Sequence, residues 1–261
     1  MIIKGFAAYV NNKRANRHGS RNRGCKQAGF LLRYTSQVRG AAAAYAMLPT
    51  NISNEKRKPQ MSEKTHVDPS ALGLFGLAMV TLVAASQKLG ITNGISYVLP
   101  WAVFLGALAQ LAAGALDYKK KNVFGATAFC AYGFFWLGMA LSWLIGAGVL
   151  GEALKASADP RQMAFAFLGY LFLTLFLTIG ATQTNKVLFF IFVLIDALFI
   201  GLAVSNFISE GPVHEVFHNM AAAAELGIAL LSFYGSGANV LNNHFGRTFL
   251  PVGKPMEIFS K

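Results

Sequence analysis

Charge and cysteine are both scarce in this 261-residue chain. Only 13% of its residues are Asp, Glu, Lys or Arg, whereas soluble domains carry about 25%. The two cysteines, Cys25 and Cys130, are too few for a disulfide framework or a cysteine-based metal site. Hydrophobic residues make up 54% of the chain and its mean hydropathy is +0.46. This composition indicates contact with lipid rather than an oversized soluble core.

Acidic residues are almost missing from residues 1–60, which hold twelve Lys and Arg but a single Glu. This basic extension carries nearly all of the net charge of +12, so the charge balance gives no reason to expect a nucleic-acid partner for the rest of the chain. Three interpretations of the extension stay open. It is a misassigned start upstream of Met61, a disordered cytoplasmic arm attracted to anionic lipid, or an Arg-rich, acid-poor organelle transit peptide.

Six apolar stretches follow in residues 61–261. A stretch of about 20 residues rises about 30 Å as a helix, which is the thickness of the hydrocarbon core of a bilayer. We place the stretches at residues 72–89, 96–117, 124–147, 163–183, 187–207 and 219–241. The pattern predicts an all-α integral membrane protein, in which residues 61–261 form a six-helix transmembrane channel or transporter domain.

Basic residues beyond the extension concentrate on one side of the predicted membrane. If the N-terminus is inside, the inner segments contain Lys64, Lys119, Lys120, Lys121, Lys186, Arg247, Lys254 and Lys261. Most of the loop acids then lie outside, namely Glu152, Asp159, Glu210 and Glu215. Because cationic loops stay in the cytoplasm, we expect both termini to be cytoplasmic, in a plasma or inner membrane.

Nothing in the sequence predicts an enzyme. The loops are too short to fold as a catalytic domain, and we find no nucleophile–base pair or nucleotide motif. His214 and His218 lie four residues apart, but a metal ion needs more ligands than these two. We therefore expect no catalytic residues, no metal and no cofactor, and we place any activity within the bundle or an oligomer of bundles.

Polar side chains inside the stretches are candidate functional residues, because they are costly in lipid. Thr174, Thr178 and Thr182 recur every four residues, so their hydroxyls share one helix face. Each hydroxyl either lines a pathway or bonds a carbonyl of its own preceding turn. Gln110 lies near the centre of the second stretch, where its amide needs partners from a structural contact or from a wet cavity.

Two acidic residues lie well inside the stretches and are candidate proton sites, whereas Asp117 closes the second stretch and is expected to be a solvated charge at the helix end. Asp196 is about nine residues into the fifth stretch, near mid-bilayer, where a carboxylate costs about 3 kcal/mol on insertion scales. It either binds protons during function or packs as a neutral, hydrogen-bonded group. Glu225 is nearer the outer end of the sixth stretch, and its alternative is to reach toward the lipid headgroups.

Four sequence blocks resemble a known family of membrane proteins. DPSALGL at residues 68–74 resembles the NPAPLGL signature of the acetate uptake transporter family, the succinate–acetate permeases. Two later blocks of that family are similar to GALAQLAAG at residues 106–114 and NVFGATAFCAYGFFW at residues 122–136. The family's C-terminal motif resembles FGRTFLPVG at residues 245–253. The blocks keep the family's order, and the resemblance covers about residues 66–255.

The resemblance implies transport of acetate and related short carboxylates, succinate among them, through a pathway in each protomer. It implies either an anion channel or a proton-coupled symporter, and a ring-shaped homohexamer. The family narrows its pathway with a hydrophobic gate, and the matching positions are Leu77, Tyr132 and Ile195. The alternative function is a membrane sensor or receptor that reports acetate or a related metabolite without carrying flux.

The entrance motif that this resemblance assigns comprises Asp68, Pro69, Leu72 and Gly73. Asp68 replaces the family's Asn and brings a negative charge to the mouth of an anion pathway, unless it caps the first helix. We expect the donors for the substrate carboxylate to come from the Tyr132 hydroxyl, Gln110, Thr127, Thr174 and Thr178. The expected partners are therefore a short carboxylate, protons, the lipid bilayer and further copies of this chain.

Overall fold

The structure, a computed structural model, describes residues 68–256 and residue 258. The interpretations of residues 1–60 lie outside the described residues. The regular structure of the described part is helical throughout, and six of its helices are long and apolar enough to cross a membrane. They are α1 Ser70–Lys88, α2 Val98–Lys119, α3 Val123–Gly146, α4 Pro160–Ala181, α5 Lys186–Phe207 and α6 Pro212–Phe245.

These bounds confirm the predicted six-helix membrane protein and correct its details. The last helix has 34 residues instead of the 23 predicted, because its polar ends continue the helix beyond the apolar window. It begins at Pro212, directly after Gly211 with φ +92°, and ends at Gly246, which adopts the left-handed conformation with φ +61°. Pro at the first helical position and Gly just past the last are the usual signals of helix bounds.

Polar side chains set the starts of three helices. Asn122 accepts a hydrogen bond from the backbone N–H of Gly125 at the start of α3, and Asn185 accepts one from Leu188 at the start of α5. Asp159 accepts one from Arg161 at the start of α4. Each cap satisfies a donor that the first turn of a helix leaves without an intrahelical partner.

The helices follow one another around the bundle in the order α4, α5, α6, α1, α2 and α3. Helix α6 packs against both α1 and α5, and α2 packs between α1 and α3. Between α3 and α4, aromatic side chains make much of the contact, with the rings of Phe135 and Tyr170 5.0 Å apart. The interior enclosed by these helices contains the candidate site.

Small residues allow close packing between the first three helices. A Cβ on Gly73 of α1 would collide with the ring of Phe129 in α3, and a Cβ on Gly114 of α2 would collide with the Cys130 thiol. Since lipid tails are as apolar as the side chains, such close approach drives helix association in a membrane. Helix α2 is π-helical from Ala102 to Ala109, a feature that the sequence did not indicate.

Candidate functional site

A cavity of about 270 Å³ opens at the end of the bundle where α1 begins and α6 ends. We call it the terminal-side cavity. Its walls come from α1, α2, α3, α5, α6 and the segment after α6. The lining residues used below are Asp68, Leu77, Gln110, Asn122, Tyr132, Asn185, Ile195, Asn239, Asn242 and Val252.

The three predicted gate residues meet in this cavity. Leu77 comes from α1, Tyr132 from α3 and Ile195 from α5, and all three line the cavity while being at most 7% exposed. They lie deeper in the bundle than the residues of the mouth, since each is about two turns or more from its helix start. Their gating role stays a prediction, but it requires that the three side chains lie on the same cavity, and they do.

The Tyr132 hydroxyl has a fixed hydrogen-bond direction. Its Oη lies 2.9 Å from Oγ1 of Thr174, and that Oγ1 also lies 2.7 Å from the carbonyl oxygen of Tyr170. A carbonyl only accepts, so Thr174 donates its single proton to Tyr170. Tyr132 must therefore donate to Thr174. In this conformation both hydroxyl protons are engaged within the protein, and their predicted role as donors to the substrate stays a prediction.

A cluster of aromatic rings closes the bundle beyond Tyr132. Phe199 of α5 is 1% exposed and stacks on Tyr132 with ring centroids 6.5 Å apart. It also contacts Phe135 at 5.3 Å, Tyr170 at 5.7 Å and Phe167 at 6.3 Å. Phe199 was not predicted from the sequence, although it lies one turn after Ile195 and so shares its helix face.

A second cavity, of about 620 Å³, lies at the opposite end of the bundle. We call it the loop-side cavity. Phe167 lines it, so the aromatic cluster separates the two cavities. Its polar lining residues include Gln87, Lys88, Ser142, Asp159, Gln162, Ser205, Asn206, His214 and His218. The bundle thus has a recess with some polar side chains at each end and an aromatic layer between them.

Gln110 lies in the wall of the terminal-side cavity and is fully buried. Its Nε2 donates to the carbonyl of Gly106 at 2.8 Å, whereas its Oε1 has no partner among the described residues. A buried acceptor without a partner is costly, so this amide has one binding position to spare. Thr127 is half-buried and is absent from the lining of this cavity.

Asp196 and Thr178 form a hydrogen-bonded pair between α4 and α5. The Thr178 hydroxyl donates to Oδ2 of Asp196 at 2.6 Å, and Oδ1 of Asp196 is buried without a partner in the part of the chain described here. One turn along α4 from Thr178, Thr174 holds the Tyr132 hydroxyl. The predicted proton site is therefore adjacent to the hydroxyl network of the gate, although Asp196 does not line the terminal-side cavity.

Two other acidic residues are buried by neighbouring helices, and for Asp117 this is contrary to expectation. Glu225 packs inside the bundle. Its side chain is 2% exposed and its Oε2 lies 2.8 Å from the Lys88 ammonium. Asp117, expected to be a solvated charge at a helix end, is 1% exposed, because α3 packs over it with Gly125 against its carboxylate. Charge alone did not reveal that a neighbouring helix covers each site.

The predicted entrance motif divides between two roles. Asp68 lines the mouth of the terminal-side cavity, accepts a hydrogen bond from the N–H of Ser70 and lies 3.7 Å from the Lys120 ammonium. It therefore binds the first N–H of α1 from outside the N-cap position, which is Pro69, and its charge is partly neutralised by Lys120. Pro69 is buried and Gly73 packs on α3, whereas Leu72 is exposed on the outer face of the bundle. The motif positions α1 beside the mouth.

The mouth is lined by amides that the sequence analysis did not select. Asn122, Asn185, Asn239 and Asn242 all line it. Asn242 also fixes the segment after α6, because its Oδ1 accepts from the N–H groups of Phe249 and Leu250 and its Nδ2 donates to the Leu250 carbonyl. The FGRT block thus folds back over the mouth, where Val252 becomes part of the wall.

The fold and the site define a class of protein: a helical membrane protein that has a recess at each end and a layer of aromatic side chains between the two recesses. The sequence profile described as the GPR1/FUN34/yaaH family matches residues 52–254, and the chain belongs to this family. This confirms the resemblance found in the motifs.

Named relatives agree with this membership. The chain is 34% identical over 188 residues to the succinate-acetate/proton symporter SatP of Escherichia coli, covering 72% of this chain and 95% of the relative. It is 30% identical to the ammonia transport outward protein 2 of Saccharomyces cerevisiae, covering 66% and 61%. Among solved structures, the bacterial acetate channel SatP matches with a TM-score of 0.65 and 33% identity, covering 71% of this chain and 98% of that chain.

Proposed function

We propose that this chain carries acetate and related short carboxylates, including succinate, across the membrane through a pathway in each protomer. Relatives are named as a succinate-acetate/proton symporter and an acetate channel, so transport is favoured over catalysis and over sensing without flux. The observation that carries the proposal is the meeting of Leu77, Tyr132 and Ile195 on one cavity, opposite a second cavity. In this proposal the transport pathway connects the terminal-side cavity to the loop-side cavity.

The gate of this pathway is the apolar layer between the cavities. Leu77, Ile195 and the ring of Tyr132 form its first part, and Phe199 extends it toward the loop-side cavity. A constriction with apolar walls excludes water and ions by dewetting. The methyl group of acetate tolerates such a layer, whereas its carboxylate needs polar groups on either side. On the terminal side, the side-chain amides of Asn185 and Asn239 line the cavity, whereas the unpartnered Oε1 of Gln110 is an acceptor and suits the protonated acid.

Proton coupling is assigned to Asp196. A carboxyl group placed among membrane helices either takes up a proton or faces water, and Thr178 already satisfies one of its oxygens. Its other oxygen is free to bear a proton that travels with the substrate. We prefer Asp196 to Glu225 for this role, because the carboxylate of Glu225 is already bound to the Lys88 ammonium.

The proposed assembly and orientation are supported by the family resemblance and by the basic residues. Residues 61–261 form the transport domain, a homohexamer encloses one pathway per protomer, and both termini face the cytoplasm of a plasma or inner membrane. Lys119, Lys120 and Lys186 at the terminal-side end support this orientation, since cationic loops remain inside. The loop-side cavity then faces the exterior.

Uptake of labelled acetate into proteoliposomes tests the function. Wild-type protein should accumulate acetate faster than empty vesicles do, and excess unlabelled succinate should compete. Running the assay with and without an inward proton gradient separates a channel from a symporter. Absence of uptake by correctly assembled protein would favour the sensor and refute the proposal. A matched control is Leu77→Asp, which places a charge in the gate and should abolish flux.

A further inference from the structure

The ion pair of Lys88 and Glu225 lies inside the bundle, far from the gate. Lys88 is the last residue of α1 and Glu225 belongs to α6, and the two are 137 residues apart in sequence. Their side chains are 13% and 2% exposed, with Nζ and Oε2 2.8 Å apart. The proposed function uses neither charge in gating or in proton coupling. The pair neutralises itself, which reduces the cost of burying both groups.

The two partners differ in what they face. Lys88 lines the loop-side cavity, whereas Glu225 is absent from its lining and lies behind the ammonium. Lys88 therefore presents a cation to the cavity, although Glu225 binds it from the protein side. An ammonium group has three N–H donors, and Oε2 of Glu225 accepts from it. Within residues 68–256, no other acceptor is recorded for this ammonium, so its remaining donors can bind a second acceptor.

The other charged groups around this cavity do not oppose an anion. Asp159 is bonded by the Arg161 guanidinium, whose Nη2 lies 2.7 Å from Oδ2 and whose Nε contacts both oxygens. These bonds hold the pKa of Asp159 below its usual value, so it is an ionised but neutralised carboxylate. His214 and His218 line the same cavity with their rings stacked 5.7 Å apart.

We propose that Lys88 is a carboxylate-binding residue of the loop-side cavity, and that Glu225 competes with the substrate for its ammonium. An arriving short carboxylate accepts a hydrogen bond from Lys88 and weakens the bond to Glu225. Glu225 keeps Lys88 neutralised while the cavity is empty and sets the affinity by competition. This inference rests on the proposed transport function and names its binding residue on the side that we take to be external.

If Glu225 competes with the substrate for Lys88, then substitutions of the two residues should change the KM for acetate in opposite directions. Lys88→Gln removes the cation, so the KM for acetate entering from this side should rise about tenfold, as expected when a close charge pair is lost. Glu225→Gln removes the competing charge but leaves an amide oxygen for Lys88, so KM should fall by about threefold. A pair that only joins α1 to α6 would lower protein abundance in both variants and leave KM unchanged.

Initial rates of uptake in intact cells expressing the full chain measure KM from the external side, with surface abundance measured in parallel. Lys155→Gln is the matched control, because Lys155 lies in the loop between α3 and α4, pairs with Glu152 and does not line the cavity. Its KM should equal the wild-type value. Lys88→Arg should recover part of the loss, because it restores a cation.

Chemical labelling of Lys88 provides an independent readout. A membrane-impermeant amine reagent, followed by mass spectrometry of the Lys88 peptide, should label Glu225→Gln faster than wild type, and acetate should slow labelling in both. The inference is overturned if KM moves in the same direction in both variants, if Lys88→Gln leaves KM unchanged, or if acetate gives no protection. Wild-type protein that fails to transport yet is protected by acetate would refute the proposed function and retain this inference.

Discussion

Replacing Phe199 with alanine tests whether the aromatic cluster closes the pathway. The side chain is 1% exposed and contacts four other rings at centroid distances of 5.3 to 6.5 Å. Aromatic contacts contribute roughly 1 kcal/mol each beyond area burial, and a buried Phe→Ala change costs about 3–5 kcal/mol. We therefore expect Phe199→Ala to destabilise the protein by about 4 kcal/mol.

The same change should join the two cavities. Tyr132 lines one cavity and Phe167 lines the other, and Phe199 stacks on both. Without the Phe199 ring, the aromatic layer between the two cavities has a gap at its centre, and we expect water to enter it. Proteoliposomes that contain Phe199→Ala should show a proton or anion leak in the absence of substrate, measured with an internal pH-sensitive dye.

Two further variants make the result interpretable. Phe176→Ala removes a ring that is 73% exposed on α4, so it should change neither leak nor thermal stability by much. Phe199→Leu keeps an apolar side chain of similar size and should leak less than Phe199→Ala while remaining folded. If Phe199→Ala assembles normally and leaks no more than wild type, the aromatic layer is not the closure and the pathway must lie elsewhere.

Three other predictions follow from the hydrogen bonds of the site. Asp196→Asn should abolish stimulation of uptake by a proton gradient without impairing assembly, because Asn keeps an oxygen that accepts from Thr178; unchanged stimulation would remove Asp196 from the mechanism. Tyr132→Phe should lower thermal stability by about 1 kcal/mol, the usual net worth of one hydrogen bond, and should not increase leak because its ring still stacks on Phe199. Asn242→Ala should speed proteolysis after α6, since three hydrogen bonds worth about 1 kcal/mol each are lost; a wild-type cleavage rate would contradict the role assigned to Asn242.

The sequence predicted the helices well because apolar length is the main requirement for crossing a membrane. It underestimated α6, whose polar ends at His214 and Asn243 do not register in a hydropathy window although Pro212 and Gly246 mark its bounds. The short helix Glu152–Ala156 was also missed, since five residues in a loop carry no periodic signal.

The site was predicted in part, for reasons that differ between residues. The family resemblance selected Leu77, Tyr132 and Ile195 as gate residues, and all three line one cavity in the structure. Phe199 was missed because a phenylalanine inside an apolar helix looks the same from sequence whether it faces lipid or the interior. The pair of Lys88 and Glu225 was missed because spacing along the chain does not show which helices become neighbours.

The direction of the Tyr132 hydrogen bond limits how a substrate passes the closed gate. Tyr132 donates to Thr174 and Thr174 donates to the Tyr170 carbonyl, so an acetate anion at the gate meets no free hydroxyl proton. It must first displace the Tyr132 hydroxyl from Thr174. Acetic acid brings its own proton and finds acceptors at Tyr132 Oη and at Oε1 of Gln110, which has no partner among the residues described. A proton gradient should therefore favour passage through this conformation, so the gradient experiment tests the hydrogen-bond direction together with Asp196.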